Sequence, residues 1–188
     1  MTNILDWNSN RDMWIRVLKK QSGKSLDQWN KRVRNKNFKD ENGLRAWLTE
    51  QGVTGYAANL LVMERFGYPD WVSASADELV EGQYSDRPHL RPIYDAIISA
   101  VSEFGEFTIQ TRKTYVSLLT SRRTFARVRP STKNRVDVGL RLEGQPPGGR
   151  LRPCKMQETM QVQIGLTSLD ELDTDAINWL RLAYEENS

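Results

Sequence analysis

The apolar residues of this chain repeat at two different periods, and the change comes near its middle. In RDMWIRVLKKQ, Trp14, Val17 and Leu18 share one face at helical spacing. SLDQWNKRVRN repeats the pattern with Leu26, Trp29 and Val33 behind the N-cap candidate Ser25. DENGLRAWLTEQG offers Asp40 as a cap, Leu44, Trp47 and Leu48 as its stripe, and Gly52 as a stop. TGYAANLLVMERFG has Thr54 as a cap, Ala58, Leu61, Val62 and Phe66 inside, and Gly67 at its end. Each helix alone would be marginal, so the four are expected to pack on their tryptophans as one small domain.

Beyond LRPIYDAIISAVSEFG, the cleanest helical pattern, the period drops to two. RVDVGLRL sets Val136, Val138, Leu140 and Leu142 against Arg135, Asp137 and Arg141, and MQVQIGL alternates through Met160, Val162, Ile164 and Leu166. TYVSLLT and RTFARVR are shorter runs of the same kind, EGQPPGGR reads as a loop, and a last helix begins near Ser168 or Thr174. The expectation is α+β: an all-helical domain over 1–69, a linker with a short helix over 70–87, and a domain over 88–188. In that last domain an antiparallel sheet of about four strands is flanked by helices. Helices packed on one side would leave the other sheet face open.

Composition narrows the chemistry. MTNILDWNSNRDMW has neither the charged start nor the apolar run of a signal peptide, and no stretch is long and apolar enough to span a bilayer. A single cysteine, Cys154, excludes an intrachain disulfide and any multi-cysteine zinc site. These features predict a cytoplasmic protein without a metal or other cofactor.

The net charge of +3 hides four blocks. Residues 1–36 carry +6, residues 37–109 carry −7, residues 110–155 carry +10 and residues 156–188 carry −6. Such segregation creates surface fields, unless the blocks neutralise one another on packing.

The centre of the most basic block is TSRRTFARVRP, Thr120 to Pro130. On a regular strand Arg123, Phe125, Arg127 and Arg129 share one side, and Thr124, Ala126 and Val128 the other. If Ala126 and Val128 face the helices, Phe125 stands among guanidiniums on the open face, with Arg135 and Arg141 extending it. Arginine beside an aromatic ring suits phosphate contact with base stacking. In the opposite reading Phe125 is core and the arginines bend away or pair with the C-terminal acids. Arg150 and Arg152, beside Gly148 and Gly149, could clamp an anion, although the sequence of a P-loop is missing.

Other motifs carry less. LTEQGVTGYAANLLVMERF has a helix–turn–helix outline, but its second helix offers only Asn59, Glu64 and Arg65 to a base. His89 has no evident partner, and Cys154 lies between Arg152 and Lys155 without a base. Asp137 and Glu143 lack the lysine that a metal-dependent nuclease places two residues further on. Asp170, Glu171, Asp173 and Asp175 read as helix-start acids.

Residues 11–69, with SGKSLDQW, LRAWLTEQG and TGYAANLLVMERFG, resemble a small bacterial helical domain of unknown function. Residues 88–186, with TYVSLLTSRRTFARVRP, RVDVGLRL and SLDELDTDAINWLRLAYE, resemble a second domain of unknown function found in some bacterial predicted transport proteins. This second half is also distantly similar to a bacterial family of iron chaperones. The resemblance implies an α+β fold in a bacterial cytoplasm and transfers no catalytic residue.

The expected function is therefore a non-enzymatic binding module for an anionic partner, nucleic acid foremost. Arg123, Phe125, Arg127, Arg135 and Arg141 would form the platform, with Arg150 and Arg152 as clamps. The alternative is a protein-interaction or small-ligand module with its site between the two domains. An enzyme would need titratable residues from both domains to converge.

Overall fold

A computed structural model describes residues 3–5 and 7–188, with side chains from Asn10 onward except Trp71 and Ser73. The opening residues 1, 2 and 6, part of the stretch read above for a signal peptide, lie outside the described residues. The chain divides into two compact units. One runs from the first helix to Ala74; the other combines a strand at Asn3–Leu5 with everything from Ser75 to Ser188.

The helical unit contains α1 (Trp7–Ser22), α2 (Leu26–Lys36), α3 (Glu41–Glu50), α4 (Gly55–Phe66) and the short α5 (Asp70–Ser73). Its ends are written locally. Ser25 and Gln28 form a reciprocal capping box, and the Asp40 carboxylate accepts the Gly43 amide at 2.8 Å. Thr54 has the extended backbone of a cap without a side-chain bond, and its amide is instead 3.3 Å from Gln21 Oε1. Gly52 ends α3 at φ +73°, a left-handed conformation that a side chain would strain.

The second helix of the helix–turn–helix outline, α4, is the centre of the unit. It contacts α1, α2 and α3 and buries Ala57, Ala58, Leu60, Leu61 and Val62. Its polar groups Asn59, Glu64 and Arg65 are engaged by Arg45, Arg11 and the Phe38 carbonyl rather than offered to a DNA groove. Trp14, Leu18, Trp29, Val33, Leu44 and Leu48 complete the core, with Trp29 and Trp47 meeting edge to face at 5.7 Å.

The second unit holds β1 (Asn3–Leu5), α6 (Ala76–Tyr84), α7 (Arg91–Ser102), β2 (Thr108–Thr111), β3 (Val116–Leu119), β4 (Thr124–Thr132), β5 (Arg135–Leu140), β6 (Arg152–Pro153), β7 (Val162–Leu166) and α8 (Thr174–Glu186). The strands form one sheet in the order β1-β2-β3-β4-β5-β7-β6. All pairs are antiparallel except β1 with β2, where Asn3 faces Thr108 in a parallel register. The fold is α+β, with more strands than the four read from alternation. Those four are β3, β4, β5 and β7; the strands missed are three residues, four residues and two residues long. So short a run carries almost no periodic signal.

The helical unit is thus inserted between β1 and α6. Where a linker is expected over 70–87, α6 contributes Val80 and Tyr84 to the core of the sheet unit. These join Ile93, Ile97 and Val101 of α7 and Ala176, Leu180 and Ala183 of α8 against the inward residues of the sheet. The three helices share one core, so they cover one face. Asp173 caps α8 by accepting the Ala176 amide at 3.0 Å, and Glu171 accepts the Thr167 amide at 2.5 Å. The C-terminal acids are helix-start groups, as their spacing suggests.

Candidate functional site

The polar face of the sheet follows from its register. Cross-strand partners stand on the same face, so Gln110, Ser117, Arg127, Gly139, Gln163 and Arg152 form one row across β2, β3, β4, β5, β7 and β6. A second row contains Arg129, Asp137 and Gly165. At about 4.8 Å per strand, six strands span about 24 Å.

Two irregularities decide which side chains reach this face. Between Leu118 and Leu119 on β3, the partners on β4 jump from Ala126 to Thr124, so Phe125 is an extra residue in a β-bulge. The bulge breaks simple alternation and sends both Phe125 and Ala126 inward, each fully buried. Phe125 packs edge-on against Tyr184 of α8 at 5.4 Å. Its expected place among exposed guanidiniums is therefore wrong, while Arg127 keeps its place on the polar side. A second irregularity, between Pro130 and Thr132, makes Ser131 the extra residue. Its hydroxyl donates to Asp137 Oδ2.

The other expected platform residues separate into groups. Arg123 Nη1 lies 2.9 Å from Glu143 Oε1, and Arg141 Nε lies 4.0 Å from the same oxygen. These two are gathered by an acid. Arg135 lies across β7, where a Cβ on Gly165 would fall 2.8 Å from its Cδ. The bare glycine lets Arg135 reach Asp137, with Nε 2.7 Å from Oδ1 and Nη2 donating to Oδ2 at 3.1 Å. Arg150 turns to the start of α8, 2.5 Å from Asp173 Oδ1, and also donates to the Glu171 carbonyl. Arg135, Arg150 and Arg152 then border a cavity of about 300 Å³ with Asp137, Gln163 and Glu171.

This cavity is close to neutral overall. The Ala176 amide, then Arg150, holds the Asp173 carboxyl below its ordinary value despite some desolvation. The Thr167 amide does the same for Glu171. Both acids are charged at neutral pH and offset the arginines beside them.

Arg127 and Arg129 behave differently. The Arg127 guanidinium stacks over the Tyr115 ring at 4.7 Å, and its Nε is buried without a hydrogen-bond partner. Among the described residues, Arg127, Arg129 and Arg152 form no ion pair. The aromatic member of the face is Tyr115, not Phe125. It was legible: with Val116 and Leu118 inward in TYVSLLT, alternation turns Tyr115 and Ser117 outward.

The row is also interrupted. A Cβ on Gly139 would meet Cys154 Sγ at 3.1 Å and the Met160 side chain at 3.4 Å, so the loop before β7 crosses the face there. The expected continuous platform is two patches: Tyr115, Arg127 and Arg129 on one side, and the Arg135–Arg150–Arg152 cavity on the other. Cys154 is a covering side chain of that loop, and His89 is exposed in a turn at Pro88–Leu90. Among the described residues no three His, Cys, Asp or Glu side chains gather where they could hold a metal ion. No described helix is long and apolar enough to cross a membrane.

Helices on one face, an arginine-bearing opposite face and a helical unit set in after the first strand define an α+β protein of modular build. The chain belongs to the family described as Domain of unknown function (DUF5655), which matches residues 80–187. The match begins inside α6 and takes in the remainder of the sheet unit apart from β1 and Ser188. No curated protein and no solved structure matches the chain.

Proposed function

We propose that the protein binds an anionic partner, single-stranded nucleic acid foremost, through the polar face of its sheet. The observation that carries this reading is the Arg127–Tyr115 stack beside Arg129, with neither arginine engaged by a carboxylate. A guanidinium set over a ring places cationic and aromatic surface side by side for a base, and its neighbour supplies phosphate contact. Arg152 offers a second cationic point across the sheet. Arg123, Arg141 and Arg150 are held by acids and serve the scaffold. This partner accords with the bacterial, cytoplasmic setting that the sequence suggests.

The test is fluorescence anisotropy of labelled single-stranded DNA, duplex DNA and RNA at two salt concentrations. Wild type is compared with Arg127→Ala/Arg129→Ala. The expected result is salt-dependent binding, strongest for single strands, weakened about tenfold or more in the variant with a flatter salt slope. Unchanged affinity in a folded variant would remove this face from consideration.

A further inference from the structure

A second cavity, of about 380 Å³, lies where α6 ends, and its walls include Gln83, Arg87, Lys113, Thr114, Arg129 and Ser131. Both walls are fastened to the end of α6 or its exit. The Gln83 side-chain amide donates to the Arg112 carbonyl at 2.7 Å and lies 3.4 Å from that of Tyr115. That holds the turn carrying Lys113 and Thr114. On the opposite side, Arg87 Nη1 donates to the Pro130 and Thr132 carbonyls at 2.9 and 3.0 Å. That holds the bulged end of β4, which carries Arg129 and Ser131.

The charges in the cavity divide cleanly. Asp86 is its acid, and both carboxylate oxygens are taken by Arg87, at 2.6 and 2.9 Å. The hydrogen bonds from Arg87 hold that carboxyl below its ordinary range, against a small desolvation penalty. Lys113 and Arg129 are exposed and, among the described residues, form no ion pair. Two uncommitted cations, one on each fastened wall, therefore border a concave space that Thr114 also lines beside Lys113. The end of a helix presents carbonyls, which would repel an anion. Here the Arg87 amide bonds the Tyr84 carbonyl at 2.9 Å, and the Ser85 hydroxyl bonds that of Gly82 at 3.0 Å, so these two groups are already occupied.

We propose that this cavity is a phosphate-monoester site, with Lys113 and Arg129 as the charge partners and Thr114 as a neutral donor. A monoester carries about −1.5 to −2 at neutral pH, which two unpaired cations match; an internal diester carries only one charge. A cavity with the end of α6 and its exit among its walls also suits an end rather than a strand running through. Arg129 belongs to the polar face as well, so on the nucleic-acid reading above the group bound here is the terminal phosphate of a strand laid on the sheet. A small phosphorylated metabolite offers the same chemistry.

The experiment separates these sources. Anisotropy is measured with an internally labelled oligothymidylate phosphorylated at its 5′ end, at its 3′ end or at neither. In parallel, phenyl phosphate is titrated by NMR. Wild type is compared with Lys113→Gln and Thr114→Val, both changes at exposed positions. The expected result is about fivefold to tenfold tighter binding of one phosphorylated strand. Lys113→Gln should erase that preference and leave the unphosphorylated strand bound as before. If all strands bind equally and phenyl phosphate does not bind, the cavity proposal is overturned while the sheet-face reading stands. If no strand binds but phenyl phosphate binds in a Lys113-dependent way, the cavity is a small-molecule site and the nucleic-acid reading falls. Binding of neither probe overturns both.

Discussion

Each unit has a guanidinium stacked on aromatic rings, and the two stacks do different things. In the helical unit Arg32 lies 4.3 Å from the Trp29 ring and 5.3 Å from that of Trp47, and it donates to Gln51 at 2.8 Å. The cation closes the rim of a core whose centre is Trp29. Nearby, Arg11, Tyr68 and Asn30 all converge on Glu64, so the polar groups satisfy one another. In the sheet unit Arg127 lies over Tyr115 with its Nε unpartnered, and among the described residues Arg129, Lys113 and Arg152 form no ion pair. Basic sequence alone does not distinguish the two, since residues 1–36 carry +6 and residues 110–155 carry +10. What distinguishes the two stacks is that Arg32 also bonds a neighbouring side chain, whereas the Nε of Arg127 has no partner. An answered cation stabilises the fold, and an unanswered one on a pinned wall is available to a ligand.

The sharpest test of this contrast lies within β4. Phe125→Ala should destabilise the sheet unit by about 3–5 kcal/mol, because it empties a fully buried site against Tyr184. Arg127→Ala, two residues away, should change stability by less than about 0.5 kcal/mol. Chemical denaturation of the full chain measures both, and similar losses would mean that Arg127 belongs to the scaffold. Next comes Glu64. Burial raises its carboxyl, but hydrogen bonds from Tyr68, Arg11 and Asn30 outweigh that and leave it below its ordinary 4.5. A lowered carboxyl contributes stability above its unfolded value, and that stability is lost as pH falls through the folded one. Glu64→Gln should cost the helical unit roughly 1 kcal/mol at neutral pH, discounted because Arg11 is partly in water. It should also flatten the loss of melting temperature below pH 4.5. An unchanged acid limb would show that the network is not what titrates. At Ser25, alanine removes half of a capping box and should cost a similar amount, about 1 kcal/mol, read as a shift in the helical transition.

The legible parts of the fold are those fixed within a few residues. Ser25, Asp40 and Asp173 announce helix starts because a cap bonds an amide three residues on. The four longer strands showed through their alternation for the same reason. β1 was not legible, since its partner Thr108 lies about a hundred residues away. At the site, Arg127 was placed on the correct side of β4 and Phe125 was not. The apolar doublet Phe125–Ala126 was the one local sign of a bulge, and a strict period of two overrides it. The pairing of Arg123 with Glu143, and of Arg150 with Asp173, depends on three-dimensional approach and has no sequence signal. Lys113 and Arg129 became a pair only when Gln83 and Arg87 drew two distant turns towards α6.

The placement of β1 has a consequence for how the molecule comes into being. During synthesis the first strand leaves the ribosome before the whole helical unit, and its partner β2 appears only after α7. The early strand must wait, while the helices, whose caps and contacts are local, can form as they emerge. A folded helical unit fixes the separation of its own ends, so closing β1 onto β2 no longer involves a freely flexible loop of about a hundred residues. Shortening the flexible part about threefold makes that closure cheaper by about 1 kcal/mol. The inserted unit thereby works as a spacer for the sheet: once folded, it lowers the entropic cost of pairing the edge strand.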